Sequence, residues 1–98
     1  MKATAIIEGT HSTRHVWVNG KFLDPKHSQK VYNHSPDGFE WGYGGSGPSQ
    51  LALAICLELF NAKVAQEIYQ RFKLEQIATL EQGKDFDIFI TINTEDYE

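Results

Sequence analysis

The residues best suited to chemistry lie in one run, Gly38-Phe39-Glu40-Trp41-Gly42-Tyr43-Gly44-Gly45-Ser46-Gly47-Pro48, followed by Ser49 and Gln50. Proline is favoured at the first helical position and glycine is an acceptable N-cap, so this spacing predicts a helix opening at Gly47-Pro48. Gln50 then falls at the third helical position, where its side chain can reach back to the cap N–H. A helix start of this kind leaves the N–H groups of Gly45, Ser46, Ser49 and Gln50 without intrahelical acceptors, and the helix dipole adds about half a positive charge. An anion such as phosphate fits there, with the Ser46 and Ser49 hydroxyls as further donors. Upstream, Phe39, Trp41 and Tyr43 alternate with Glu40, Gly42 and Gly44, which in extended chain places three rings on one face. Rings beside an anion pocket suit a nucleotide, at about 1–3 kcal/mol per stacked base. The same pattern also fits rings buried in a small sheet and glycines that let backbone approach a helix.

Named motifs fit less well. Gly42, Gly44 and Gly47 satisfy G-x-G-x-x-G, but the dinucleotide fingerprint needs a βαβ unit of about 30 residues with an acid some 20 residues on, and here helix leads to helix. No Gly-Lys-Ser/Thr follows, so the phosphate loop of nucleotide hydrolases is absent too. His34-Ser35-Pro36-Asp37 with Glu40 offers a base, a hydroxyl and an acid. Triad members normally come from separate elements, however, and the run reads as a turn. His11, His15, His27 and His34 match no compact metal motif. Arg14 is the basic residue placed to grip a phosphate through its planar fork. The expected ligand-binding set is therefore Trp41, Tyr43, Gly44, Gly45, Ser46, Gly47, Ser49 and Gln50, with Arg14 and His34. No catalytic residue, metal ligand or cofactor is assigned.

Composition bounds the rest. The chain has 98 residues, 41% of them hydrophobic, which suits a single domain over 1–98 with one core. Its net charge is −4, with no basic cluster of the kind duplex nucleic acid requires. Lys21, Lys26 and Lys30 are balanced by Asp24 and read as a solvated loop. The lone cysteine, Cys56, sits in an apolar run as a small buried hydrophobe. The sequence opens with no leader pattern and contains no run approaching the roughly 18 apolar residues of a membrane span, so a cytoplasmic protein is expected.

The elements that must position the block follow from periodicity. Ala3 to Glu8 reads as a strand ended by Gly9, and His15–Val18 with Lys21–Leu23 flank Asn19-Gly20, a type I′ hairpin turn. Asp24 to Asp37 carries Pro25 and Pro36 and is expected to be a loop with at most a short strand at Lys30–Tyr32. From Leu51 to Leu57 every residue is apolar, which predicts a fully buried helix. Asn61 caps a second, amphipathic helix built on Val64, Ile68 and Phe72. Lys73 to Leu80 fits either a helical stripe or a strand, and a terminal hairpin with the alternating strand Asp85–Ile92 is the favoured expectation. The sum is an α+β domain, a small mainly antiparallel sheet packed against two helices.

The stretch from His34 to Ile55, HSPDGFEWGYGGSGPSQLALAI, resembles the signature block of a family of short proteins of unknown function from bacteria and their phages. Val16-x-Val18-x-Gly20-x-x-Leu23 and Tyr69-Gln70-Arg71-Phe72-Lys73 are similar to the same family, so the likeness spans most of the chain. No functional residues come with it. It implies a phage or mobile-element setting, where small proteins bind host proteins or sequester nucleotide signals of host defence. The expectation is a non-enzymatic binding module for a phosphate-bearing, nucleotide-like small molecule. The alternative is a small protein–protein interaction or inhibitor protein that engages a host or phage polypeptide, with homo-oligomers possible in either case.

Overall fold

The computed structural model describes residues 1–97. Strands β1 (Lys2–Thr10), β2 (His15–Val18), β3 (Lys21–Phe22) and β4 (Phe86–Asn93) form one antiparallel sheet in the order β3-β2-β1-β4. Helices α1 (Pro25–Val31), α2 (Ser46–Leu59) and α3 (Ala62–Phe72) complete an α+β fold. Strand alternation decides which face is dry: Ala5 and Ile7 of β1, Val16 and Val18 of β2, and Ile90 and Ile92 of β4 join one core with the α2 and α3 side chains. The other face carries Ile6, Glu8, Phe22, Asp87, Phe89 and Thr91 into solvent.

Local chemistry accounts for most boundaries. Asn19 and Gly20 take φ of 51° and 79°, the two positive values that a type I′ turn demands. Asn61 accepts from the Val64 N–H and so caps α3, as its position predicts. The α2 run is buried from Gly47 to Cys56 on every side, which makes this helix the centre of the core. Gly9 lets the Phe86 ring lie directly over β1, where a side chain would collide with it.

Three expectations are corrected. Residues 25–31 are helical rather than loop or strand: Asp24 accepts from the Lys26 N–H as N-cap and Pro25 supplies the first turn. Helix α2 starts at Ser46, with Gly45 rather than Gly47 as its N-cap. Residues 73–77 form a π-helical turn continuing α3, closed by the Ala78 N–H on the Lys73 carbonyl at 2.8 Å, so no terminal hairpin forms. Released from that pairing, β4 lies along β1 from Lys2↔Asn93 to Gly9↔Phe86. No helix among the described residues is long and apolar enough to cross a membrane.

Candidate functional site

The glycine block runs from α1 to α2 as irregular chain, and its rings part company at Gly42. Phe39 and Trp41 are buried. The Trp41 indole N–H donates to the Lys84 carbonyl at 2.8 Å, and its ring meets Phe86 and His11 edge-on, with centroids 4.8 and 5.6 Å away. Gly42 then adopts φ of 87° and donates its N–H to the Ile77 carbonyl at 3.1 Å; a Cβ there would stand 2.5 Å from the Gln82 Cα. That left-handed residue reverses the alternation, so Tyr43 emerges at the surface, 41% exposed, with its ring against Gly45. The expected ligand-facing row of rings is thus reduced to Tyr43. Trp41 belongs to the core, because its indole bridges the block to the start of β4.

Glu40 points the other way, towards the loop that joins β1 to β2. Its carboxylate accepts from Arg14 Nε at 2.9 Å and lies 3.3 Å from His11 Nε2, while the Trp41 N–H donates to it at 3.2 Å. Arg14 holds φ of 60°, unusual for a residue with a side chain, and its Nη1 donates to the His11 carbonyl at 2.6 Å. Partial burial pushes the Glu40 carboxyl up, but the hydrogen bonds from Arg14 and Trp41, with the charges of Arg14 and His11, outweigh it and leave the group below its ordinary value. The carboxylate stays ionised and pinned.

Between this cluster and the start of α2 lies a cleft of about 390 Å³ lined by Arg14, Ser35, Asp37, Glu40, Tyr43, Ser46 and Gly47. No side chain caps the helix here. Ser46 and Gly47 hold the first two helical N–H groups, and Pro48 has none to offer. Gly47 is required because Glu40 crosses it closely: a Cβ would stand 2.5 Å from the Glu40 Cβ. Gly44 is exposed, and a Cβ there would meet nothing within 4 Å.

Three expected ligand groups are committed elsewhere. Ser49 is buried, with its N–H and its Oγ both on the Gly45 carbonyl at 3.1 Å. Gln50 is fully buried: Oε1 accepts from the His34 and Ser35 N–H groups at 2.7 and 2.9 Å, and Nε2 donates to Ser28 Oγ and the Tyr32 carbonyl. The earlier helix start turns this residue towards the α1 loop instead of the cap. His34 stacks on Tyr32 with centroids 4.3 Å apart and sets Nε2 2.7 Å from the Tyr69 hydroxyl, away from Asp37. Burial, then the Lys73 charge, hold its pKa below the ordinary value, which favours neutral imidazole.

Of the expected set, the structure brings Arg14, Tyr43, Ser46 and Gly47 to one cleft, with Gly45 beneath the Tyr43 ring. Glu40 and Asp37 line it as well, although the sequence offered them only as weak catalytic candidates. The link from Glu40 to Arg14 spans 26 residues, a pairing that no local pattern encodes. A smaller cleft of about 170 Å³ near β3 is crossed by the Lys21–Glu58 ion pair at 2.7 Å. Among the described residues no group of three or more His, Cys, Asp or Glu side chains could hold a metal. Burial pushes the Cys56 thiol up to about 12, which disfavours the thiolate form that reacts.

The chain belongs to a family of unknown function, DUF6166, whose model matches residues 7–97 and so contains every residue of the cleft. No curated protein and no solved structure matches it.

Proposed function

We propose that the cleft at the start of α2 binds a phosphate-bearing, nucleotide-like small molecule, and that the protein acts as a binding module rather than an enzyme. The observation that carries the reading is the convergence of an uncapped helix start, the Arg14 guanidinium and the exposed Tyr43 ring on one cleft. Arg14 uses Nε and Nη1 on Glu40 and the His11 carbonyl, and its remaining donors are available to a phosphate. The Ser46 and Gly47 N–H groups supply the helix-dipole half of the grip. Glu40 is already neutralised by Arg14, so it orients the guanidinium more than it repels an anion.

Two further groups favour a nucleotide over free phosphate. Asp37 offers a carboxylate acceptor of the kind that holds ribose hydroxyls. Tyr43 offers a half-exposed ring face for a base. In a cytoplasmic phage or mobile-element setting, such a module would sequester a nucleotide signal. A thermal-shift panel of mononucleotides and cyclic nucleotides tests the reading, because a ligand at a hundred times its Kd stabilises by about 2.7 kcal/mol. At least one should raise Tm, and Arg14→Ala should abolish that rise.

A second reading, a protein–protein interaction module, is favoured by the open sheet face. His15, Trp17 and Phe22 form an edge-to-face cluster there, with Phe22 46% exposed. A polypeptide bound on that face would be indifferent to Arg14→Ala and sensitive to Phe22→Ser.

A further inference from the structure

The cleft at the start of α2 is well supplied with directed donors and short of positive charge. Its charged lining consists of one guanidinium, Arg14, and two carboxylates, Glu40 and Asp37. Glu40 takes up the guanidinium at 2.9 Å. Asp37 is exposed, and among the described residues no basic side chain comes within salt-bridge distance of it. The lining therefore carries one negative side chain in excess, and the α2 dipole returns only about half a positive charge. His11 stands behind Glu40, 3.3 Å from Oε1, and does not line the cleft.

The donors suffice for the oxygens of a phosphate but not for a second charge. Arg14 spends Nε on Glu40 and one Nη1 hydrogen on the His11 carbonyl, which leaves Nη2 and the other Nη1 hydrogen. Ser46 and Gly47 add two N–H groups, and Pro48 adds none. A phosphodiester offers two non-bridging oxygens that share a single negative charge. A phosphomonoester offers three and carries about −1.5 to −2 near pH 7. Both can use the same donors. The second charge of the monoester meets no free cation in the lining, and Asp37 opposes it.

We infer that the cleft selects singly charged phosphodiesters over doubly charged phosphomonoesters, and that Asp37 is the residue that sets this preference. The inference rests on the reading of the cleft as a phosphate site and narrows the ligand within it. Selectivity here comes from a repulsive group as much as from attractive ones. A cleft of about 390 Å³ is at the small end of ligand sites, which suits one nucleoside unit. A diester confined to one nucleoside is a cyclic mononucleotide or a nucleoside phosphate esterified with a small alcohol. Asp37 then accepts from a ribose hydroxyl and, as a fixed negative charge, turns a dianionic phosphate away.

Titration calorimetry of the full chain tests it with three phosphate forms of each common ribonucleoside: the 3′,5′-cyclic monophosphate, the 5′-monophosphate and the methyl ester of that monophosphate. The methyl ester is an open-chain diester, so it separates charge from ring shape. Slightly above neutral pH both diesters should bind about tenfold more tightly than the matching 5′-monophosphate, the order expected of one extra charge a few ångströms from a carboxylate in a solvated site. Asp37→Asn should close most of that gap by strengthening monophosphate binding, and Asp37→Glu should keep it. Added salt should also narrow the gap in the unmodified chain, because screening acts most on the dianion. A monophosphate bound as tightly as its diesters, a cyclic form bound without its methyl ester counterpart, or a preference untouched by Asp37→Asn would overturn the inference and leave the phosphate reading standing. No saturable heat from any ligand of the set would overturn both.

Discussion

At the scale of single residues, Gln50 holds the segment that carries Ser35 to the rim of the cleft. It is a buried amide with both its acceptor and its donor ends satisfied, and it ties the α1 loop, at Ser28, Tyr32, His34 and Ser35, to the first turns of α2. Gln50→Leu keeps the volume but strands the Ser35 N–H and leaves the His34 N–H and Tyr32 carbonyl with only their own bond at 3.2 Å. A stranded buried donor costs about 1–3 kcal/mol, so urea unfolding should show a loss of about 2 kcal/mol. Two glycines of the block make an internal control. Gly42→Ala meets both a positive φ and the Gln82 backbone, and should cost more than about 2 kcal/mol by the same measurement. Gly44→Ala meets nothing and should change stability by less than about 0.5 kcal/mol.

His34 adds a pH dependence whose sign follows from its environment. Burial and Lys73 lower its folded pKa from the ordinary 6.5, so the unfolded chain takes up the proton first. Its contribution to stability is complete above that value and is lost as pH falls through the folded pKa. Glu40, lowered from 4.5, loses its contribution in the same direction in a more acid range. Unfolding measured from neutral to mildly acid pH should therefore show declining stability, and His34→Gln should flatten the upper part of that decline.

At the scale of elements, the legible parts were those whose signals are local. Asn19-Gly20 forces its own hairpin, Asn61 caps α3 within one turn, and the apolar run from Leu51 to Leu57 has only one place to go. Asp24-Pro25 is an equally local N-terminus signal, but its weight was hidden by the polar run that follows and by Pro36. The 73–80 segment was not legible for a different reason. Ile77 must both fill the core and aim its carbonyl at Gly42, a tertiary demand met by widening the helix into a π turn. Only its two contacts, far apart in sequence, explain it. The start of α2 was legible in the glycine block but displaced by two residues, because the glycines at 45 and 47 are both acceptable caps and packing of Glu40 on Gly47 chooses between them. A substitution tests that start directly. Gly45→Asp supplies the missing N-cap acceptor, which is worth about a few tenths of a kcal/mol over glycine, while pushing the Tyr43 ring aside. Stability should stay within about 1 kcal/mol of the parent while a carboxylate occupies the anion site.

At the scale of the whole molecule, the chain is acidic, with a net charge of −4, and its cleft sets one guanidinium, Arg14, against the carboxylates of Glu40 and Asp37, so an anion there would rest on directed N–H donors from Arg14 and the start of α2 rather than on net positive charge. The candidate site is assembled from the β1–β2 loop, the segment after α1 and the first turn of α2, so its completeness depends on the fold and not on any short motif. The long-range half of it, Arg14 and His11 on Glu40, is carried by Trp41, which spans from the block to Lys84 and Phe86. The most direct test of the central claim is titration calorimetry of the chain, Arg14→Ala and Gly45→Asp against mononucleotides, cyclic nucleotides and cyclic dinucleotides. The account predicts saturable heat with at least one nucleotide, lost in both variants while each remains folded; flat traces across the panel, or binding retained in both variants, would contradict it.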